Sequence, residues 1–190
     1  MAIPANAKPG DFVLVSFDGK NPNLSDPKKW AMSGGLIRLG QWANGDGFSE
    51  FEHAATYVGN GKIIEATNGG VQLNNVSRYD NIETRWSSGL INPTDAQRKA
   101  IVAAAYGYVG TPYSWPDYAA LAAKRLHLGP LVPGLKTYVA NSKHMICSQV
   151  VDQEYQDAGY QLFDDKRWPG YVTPGSLNGL LDKAESAQKK

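Results

Sequence analysis

The sequence predicts a single α+β domain in which an antiparallel sheet packs against a helical layer. Short β-rich runs joined by glycine turns fill residues 51–74, a capped helical pattern starts at Thr94, and another starts at Cys147. At 190 residues the chain fits one domain with a substantial core. Hydrophobic residues at 42% and charged residues at 19% exclude a disordered chain, and 20 glycines with 11 prolines call for many turns.

The elements follow in order. Phe12–Phe17 reads as a first strand, entered after Lys8-Pro9-Gly10 and closed at Asp18-Gly19. Trp30, Leu36, Ile37, Leu39 and Trp42 outline a helix despite Gly34-Gly35. Ala54–Val58 and Lys62–Ala66 form a hairpin around Gly59-Asn60-Gly61, and Val71–Leu73 adds a strand after Gly69-Gly70. Thr94-Asp95-Ala96-Gln97 is a capping box for a helix carrying Ala100, Ile101, Ala104, Ala105 and Tyr108, which Gly110 stops. A second helix is expected from Pro116 to about Leu126 before GPLVPG breaks it. The third starts at Cys147, carries Val150, Val151 and Tyr155, and stops at Gly159. Residues 160–178 read as extended pieces and turns, and 182–190 as a frayed charged tail of the one domain spanning 1–190.

A net charge of +1 with scattered lysines and arginines gives no footprint for nucleic acid. One cysteine makes no internal disulfide, and three histidines without Cys/His spacing make no structural zinc pattern. No cofactor is implied, and a monomer is expected. The N-terminus lacks a basic start and an apolar core of signal-peptide length, and no run approaches the ~20 residues that span a bilayer. The expectation is cytoplasmic synthesis without an integral membrane segment, with any extracellular action requiring lysis or a virion.

The chemistry centres on Cys147, His53 and Glu65. A thiol at a helix N-terminus meets unpaired N–H groups and the positive end of the helix dipole, which favour thiolate. An imidazole would accept its proton, and a carboxylate would fix the ring. His53 opens the hairpin and Glu65 follows twelve residues later. If Asn60-Gly61 forms a simple two-residue turn, Thr56 opposes Glu65 and His53 falls on the other face. With a three-residue loop of Gly59, Asn60 and Gly61, or a bulge, Ala55 opposes Glu65 and His53 shares its face; the flanking glycines favour the three-residue loop. The bland readings are a solvent-facing His53 and a Glu65 on a solvated strand face. His144 competes as a base, and His127 suits a helix C-terminus. Of the aromatics near the cysteine, including Tyr113, Trp115 and Tyr171, one or two would line a groove for an amide substrate and supply an oxyanion donor.

These residues resemble the permuted branch of the NlpC-type, papain-like cysteine hydrolases, including the YiiX-like proteins. GTPYSW (Gly110–Trp115) precedes ICSQVV, and HAATYVGNGKIIEA lies upstream of both, reversing the order of parts in ordinary NlpC-type enzymes. VTPGSL (Val172–Leu177) is similar to a late segment of YiiX-like chains. Ile146 stands where the family has an aspartate and Gln149 where it has a glycine. The resemblance implies a circularly permuted papain-like fold and a Cys147-His53-Glu65 triad, with Tyr113 as a groove wall or oxyanion donor; Trp115, Ser148 and Tyr171 are further candidates for substrate contact. It also implies amide hydrolysis, foremost of peptidoglycan stem peptides, and a phage lysis or virion enzyme fits as well as a bacterial one. Two alternatives stay open: an acyltransferase of the lecithin:retinol type, and a non-catalytic binding or virion structural module.

Overall fold

A computed structural model describes residues 2–16, 49–67, 69–112, 147–165 and 172–189. Among these, five strands form one sheet: β1 (Phe12–Ser16), β2 (His53–Gly59), β3 (Lys62–Thr67), β4 (Gly70–Asn75) and β5 (Glu83–Trp86). They lie in the order β4-β3-β2-β1-β5, every neighbour antiparallel. A 3-10 helix (Val76–Tyr79) follows β4. The described α-helices are α1 (Asp95–Tyr108), α2 (Cys147–Asp157) and α3 (Pro174–Gln188). The class is therefore α+β, as the segment pattern predicts. The helix expected at Pro116–Leu126 and the apolar stretch from Trp30 to Trp42 lie outside the described residues.

Alternation along the strands divides the core in two. Phe12, Leu14, Ala54, Ile64, Ala66 and Val71 point to the face that α1, α2 and α3 cover. Val13, Val15, Ala55, Tyr57 and Ile63 point to the other, closed by Val76 and Tyr79 of the 3-10 helix and by Trp86. His53 and Glu65, at the same alternation, belong to this second face.

The hairpin turn differs in detail from the expected three-residue loop. Asn60 and Gly61 alone make the turn, with φ of 51° and 69°, the positive values a two-residue hairpin turn uses. The extra residue enters as a bulge between Tyr57 and Gly59, where Gly59 takes φ 96°. Past the bulge Thr56 pairs with Ile64, which moves Glu65 onto the face of Ala55 and His53.

Helix α1 starts where the capping box predicts, with Thr94 accepting from Gln97 N–H and the Gln97 side chain reaching back. Helix α2 ends at Gly159 (φ 71°), and Tyr160 N–H closes on Tyr155 O. Helix α3 corrects the reading of turns at its first residues, 174–178, and of a frayed tail from 182 on, since the helix continues to Gln188. Thr173 caps it, Pro174 occupies the first turn, and Leu177 and Leu181 are buried four residues apart. Its charged face is held by one guanidinium: Arg85 on β5 donates to Asn178 at 2.6 Å, Asp182 at 2.6 Å and Glu185 at 2.7 Å.

Helix α2 is buried nearly all round, and this has a cost at Glu154. The side chain is 0% exposed, its Oε2 accepts from the Thr56 hydroxyl of β2, and its Oε1 lacks a partner among the described residues. Burial, outweighing the Thr56 hydrogen bond, pushes its pKa well above the ordinary carboxylate value, so folding favours the protonated acid. Because the folded value is raised, stability is greatest below the unfolded pKa and falls as pH rises, by up to ~1.4 kcal/mol per unit. Glu154→Gln should flatten this slope: denaturant midpoints should favour the variant at pH 7 and converge near pH 4.

Candidate functional site

Cys147 is the first described residue of α2, and the helix packs against β2 and β3 with this end near the start of β2. The β2–β3 ladder runs from Gly59–Lys62 to Thr56–Ile64 and stops there. Beyond it the Ala54 N–H is given to the sulfur, and the Ser148 N–H at the start of α2 is a second backbone donor to it. The thiol thus reaches His53 around the strand end, although its helix lies on the opposite face from the imidazole.

His53 stands between two acidic partners. Its Nε2 meets Glu65 Oε2 at 2.6 Å, which leaves Nδ1 for the sulfur, and the two side chains interact through charge and hydrogen bonding. Glu65, 1% exposed, is held by four side chains. Oε2 accepts from His53 and the Tyr79 hydroxyl, and Oε1 accepts from Arg78 at 2.6 Å and Asn74 at 2.9 Å. The His53 and Tyr79 rings lie 5.8 Å apart, tilted by 49°. Both bland readings fail: His53 is 7% exposed, and Glu65 faces a closed core layer instead of solvent.

The electrostatics are consistent across the three groups. Burial alone would lower the His53 pKa, but the Cys147 charge, its hydrogen bond and Glu65 outweigh it and push the value up to about 10. Burial would raise that of Cys147, yet His53 and the two backbone donors bring it below the ordinary thiol value. Burial would likewise raise Glu65, but the His53 hydrogen bond and charge, with Tyr79 and Arg78, keep it ionised and low. The thiol is shifted down and the imidazole up, the directions that favour a thiolate–imidazolium pair backed by a carboxylate.

The three residues singled out for chemistry are therefore brought together. Ser148 is buried, its hydroxyl donating to Val172 O at 2.8 Å, so its link to the sulfur is its backbone N–H. Tyr113, Trp115, Tyr171, His127 and His144 lie outside the described residues. The segment that leads to Tyr113 is anchored on the edge of β4, where Val71 N–H donates to Thr111 O and Gly110 N–H to Val71 O, both at 2.8 Å. Sequence reasoning missed Asn74, Arg78 and Tyr79. Only the register could find them, since Asn74 pairs with Ile63 and so lies diagonal to Glu65.

Among the described residues no helix is long and apolar enough to cross a membrane, and no group of three or more His, Cys, Asp or Glu could hold a metal ion. No family model matches the chain, and no curated protein matches it. What the geometry defines is a buried cluster of Cys147, His53 and Glu65 on an α+β scaffold.

Alkylation of Cys147 by iodoacetamide against pH checks the pair directly. The parent should titrate below the ~8.5 of an ordinary cysteine, and His53→Ala should raise the midpoint because only the two backbone donors then oppose burial. Cys147 is only 1% exposed, so the plateau rate also reports how often the site opens. The β4 strap gives a second check. Gly70 has φ 95°, and a Cβ there would lie 2.7 Å from Thr111 O. Gly70→Ala should cost about 1–3 kcal/mol in denaturant unfolding through strain and displacement of the strap.

Proposed function

We propose that the chain is a thiol hydrolase of amide bonds, a circularly permuted relative of the NlpC-type papain-like enzymes, acting on peptidoglycan stem peptides. The observation that carries the reading is one buried imidazole bonded to Glu65 on one side and coupled to Cys147 at a helix start on the other. Its support beyond geometry is the resemblance of GTPYSW, ICSQVV and the His53 hairpin to that family, which also supplies the substrate class.

In this reading the Cys147 thiolate attacks the amide carbonyl, forming an S–C bond and an oxyanion. The positive end of the α2 dipole favours negative charge there. The tetrahedral intermediate collapses, the C–N bond breaks, and the leaving amine takes the His53 proton. The neutral imidazole then draws a proton from water, the hydroxide attacks the thioester, and the carboxylic acid leaves as the sulfur regains the thiolate state. Glu65 stays ionised throughout, fixing the ring through Nε2 and stabilising the imidazolium. Tyr113 is assigned to the substrate groove by the resemblance, and Trp115 and Tyr171 by the clustering of aromatics around Cys147 in the sequence.

Digestion of purified cell-wall fragments tests the assignment. The parent should release new amino and carboxyl termini, and Cys147→Ser and His53→Ala should each lower the rate by about 10³-fold or more. Acyl transfer to an added alcohol or amine without hydrolysis would replace the reading with the acyltransferase alternative, and an unreactive thiol with no turnover would replace it with the scaffold.

A further inference from the structure

The carboxylate that orients His53 carries a second cation. Arg78 Nη1 lies 2.6 Å from Glu65 Oε1, as close as His53 Nε2 lies to Oε2. The guanidinium sits over the Tyr79 ring, 5.4 Å from its centroid, and Tyr79 itself donates to Oε2. Asn74 shares Oε1 at 2.9 Å. When the thiol is ionised and the ring protonated, the four groups Cys147, His53, Glu65 and Arg78 alternate in sign and sum to zero. Without Arg78 the cluster would be net negative.

We propose that Arg78 is a positioning residue for proton transfer at His53: by occupying Glu65 Oε1 it limits how firmly Oε2 holds the ring proton. The proposal rests on the thiol-hydrolase reading, in which His53 must both give up a proton to the leaving amine and take one from water. An acid bound too tightly to its carboxylate is a poor donor near neutrality. A guanidinium suits the task because it stays charged at any working pH and never exchanges its own proton with the ring. The groups facing His53 are Cys147 from α2, Glu65 from β3 and Tyr79 from the 3-10 helix, with Arg78 acting one hydrogen bond further out. Replacement at position 78 spares the core, since the Arg78 side chain is 42% exposed while Tyr79 is buried.

The test is the titration of His53 followed by NMR of its ring nitrogens, with His53→Ala assigning its signals among the three histidines. Arg78→Met should raise the His53 midpoint by about one pH unit, the effect of removing one charge two hydrogen bonds away at a partly screened site. Arg78→Lys, which restores the charge, should return most of that shift. A purely structural Arg78 would leave the midpoint in place. A midpoint unmoved or lowered in Arg78→Met, in a chain whose parental Cys147 labels as an activated thiol, overturns the role of Arg78 alone. An ordinary thiol in the parent overturns the hydrolase reading and this role with it.

Discussion

Glu65 is a fully buried carboxylate, and much of the sheet's second face is arranged to keep it charged. An isolated carboxylate in such surroundings would take up a proton, because its lost hydration is worth more than any single hydrogen bond returns. Four donors from β2, β4 and the 3-10 helix replace that hydration, two of them on residues that carry positive charge. Each donor depends on the strand register. Were the Tyr57–Gly59 bulge absent, Glu65 would face the helices, where Ile64 now packs against Ala66, Val71 and Cys147.

The contrast with Glu154 shows what the arrangement achieves. Both side chains are buried acids, one on a strand and one on α2. Among the described residues Glu154 has a single neutral hydrogen bond and no cation beside it, so its pKa is raised and the protonated acid is favoured. Glu65 has two cationic partners and remains a carboxylate. The same residue type thus serves as a helix-to-strand contact in one place and as a source of negative charge in the other, the difference being set by the neighbours.

The parts legible in the sequence were those with local causes. The Thr94 capping box, the Gly159 stop and the glycine-flanked hairpin each have their signal within a few residues, and each stands where it was expected. The hairpin signal left two registers open because glycine permits both, and the bulge at Gly59 chose between them. Helix α3 was hidden because Pro174, Gly175 and Gly179 look like breakers, although proline is well placed in a first turn. Its last turns are pinned by Arg85, about a hundred positions earlier, which no local pattern reveals. The donors to Glu65 were illegible for the same reason: Asn74, Arg78 and Tyr79 acquire meaning only once β3 and β4 are aligned.

The partners of His53 differ greatly in how far along the chain they lie. Glu65 is twelve positions away on the same hairpin, whereas Cys147 lies about half the chain away. Hairpins close within about 1–10 μs, while distant segments must first meet the entropy of a long loop. During synthesis the base and its carboxylate can therefore assemble before the nucleophile has left the ribosome. The sulfur meets that pair only once α2 has packed on the sheet, and a half-folded product lacks the imidazole that lowers its pKa in the folded chain.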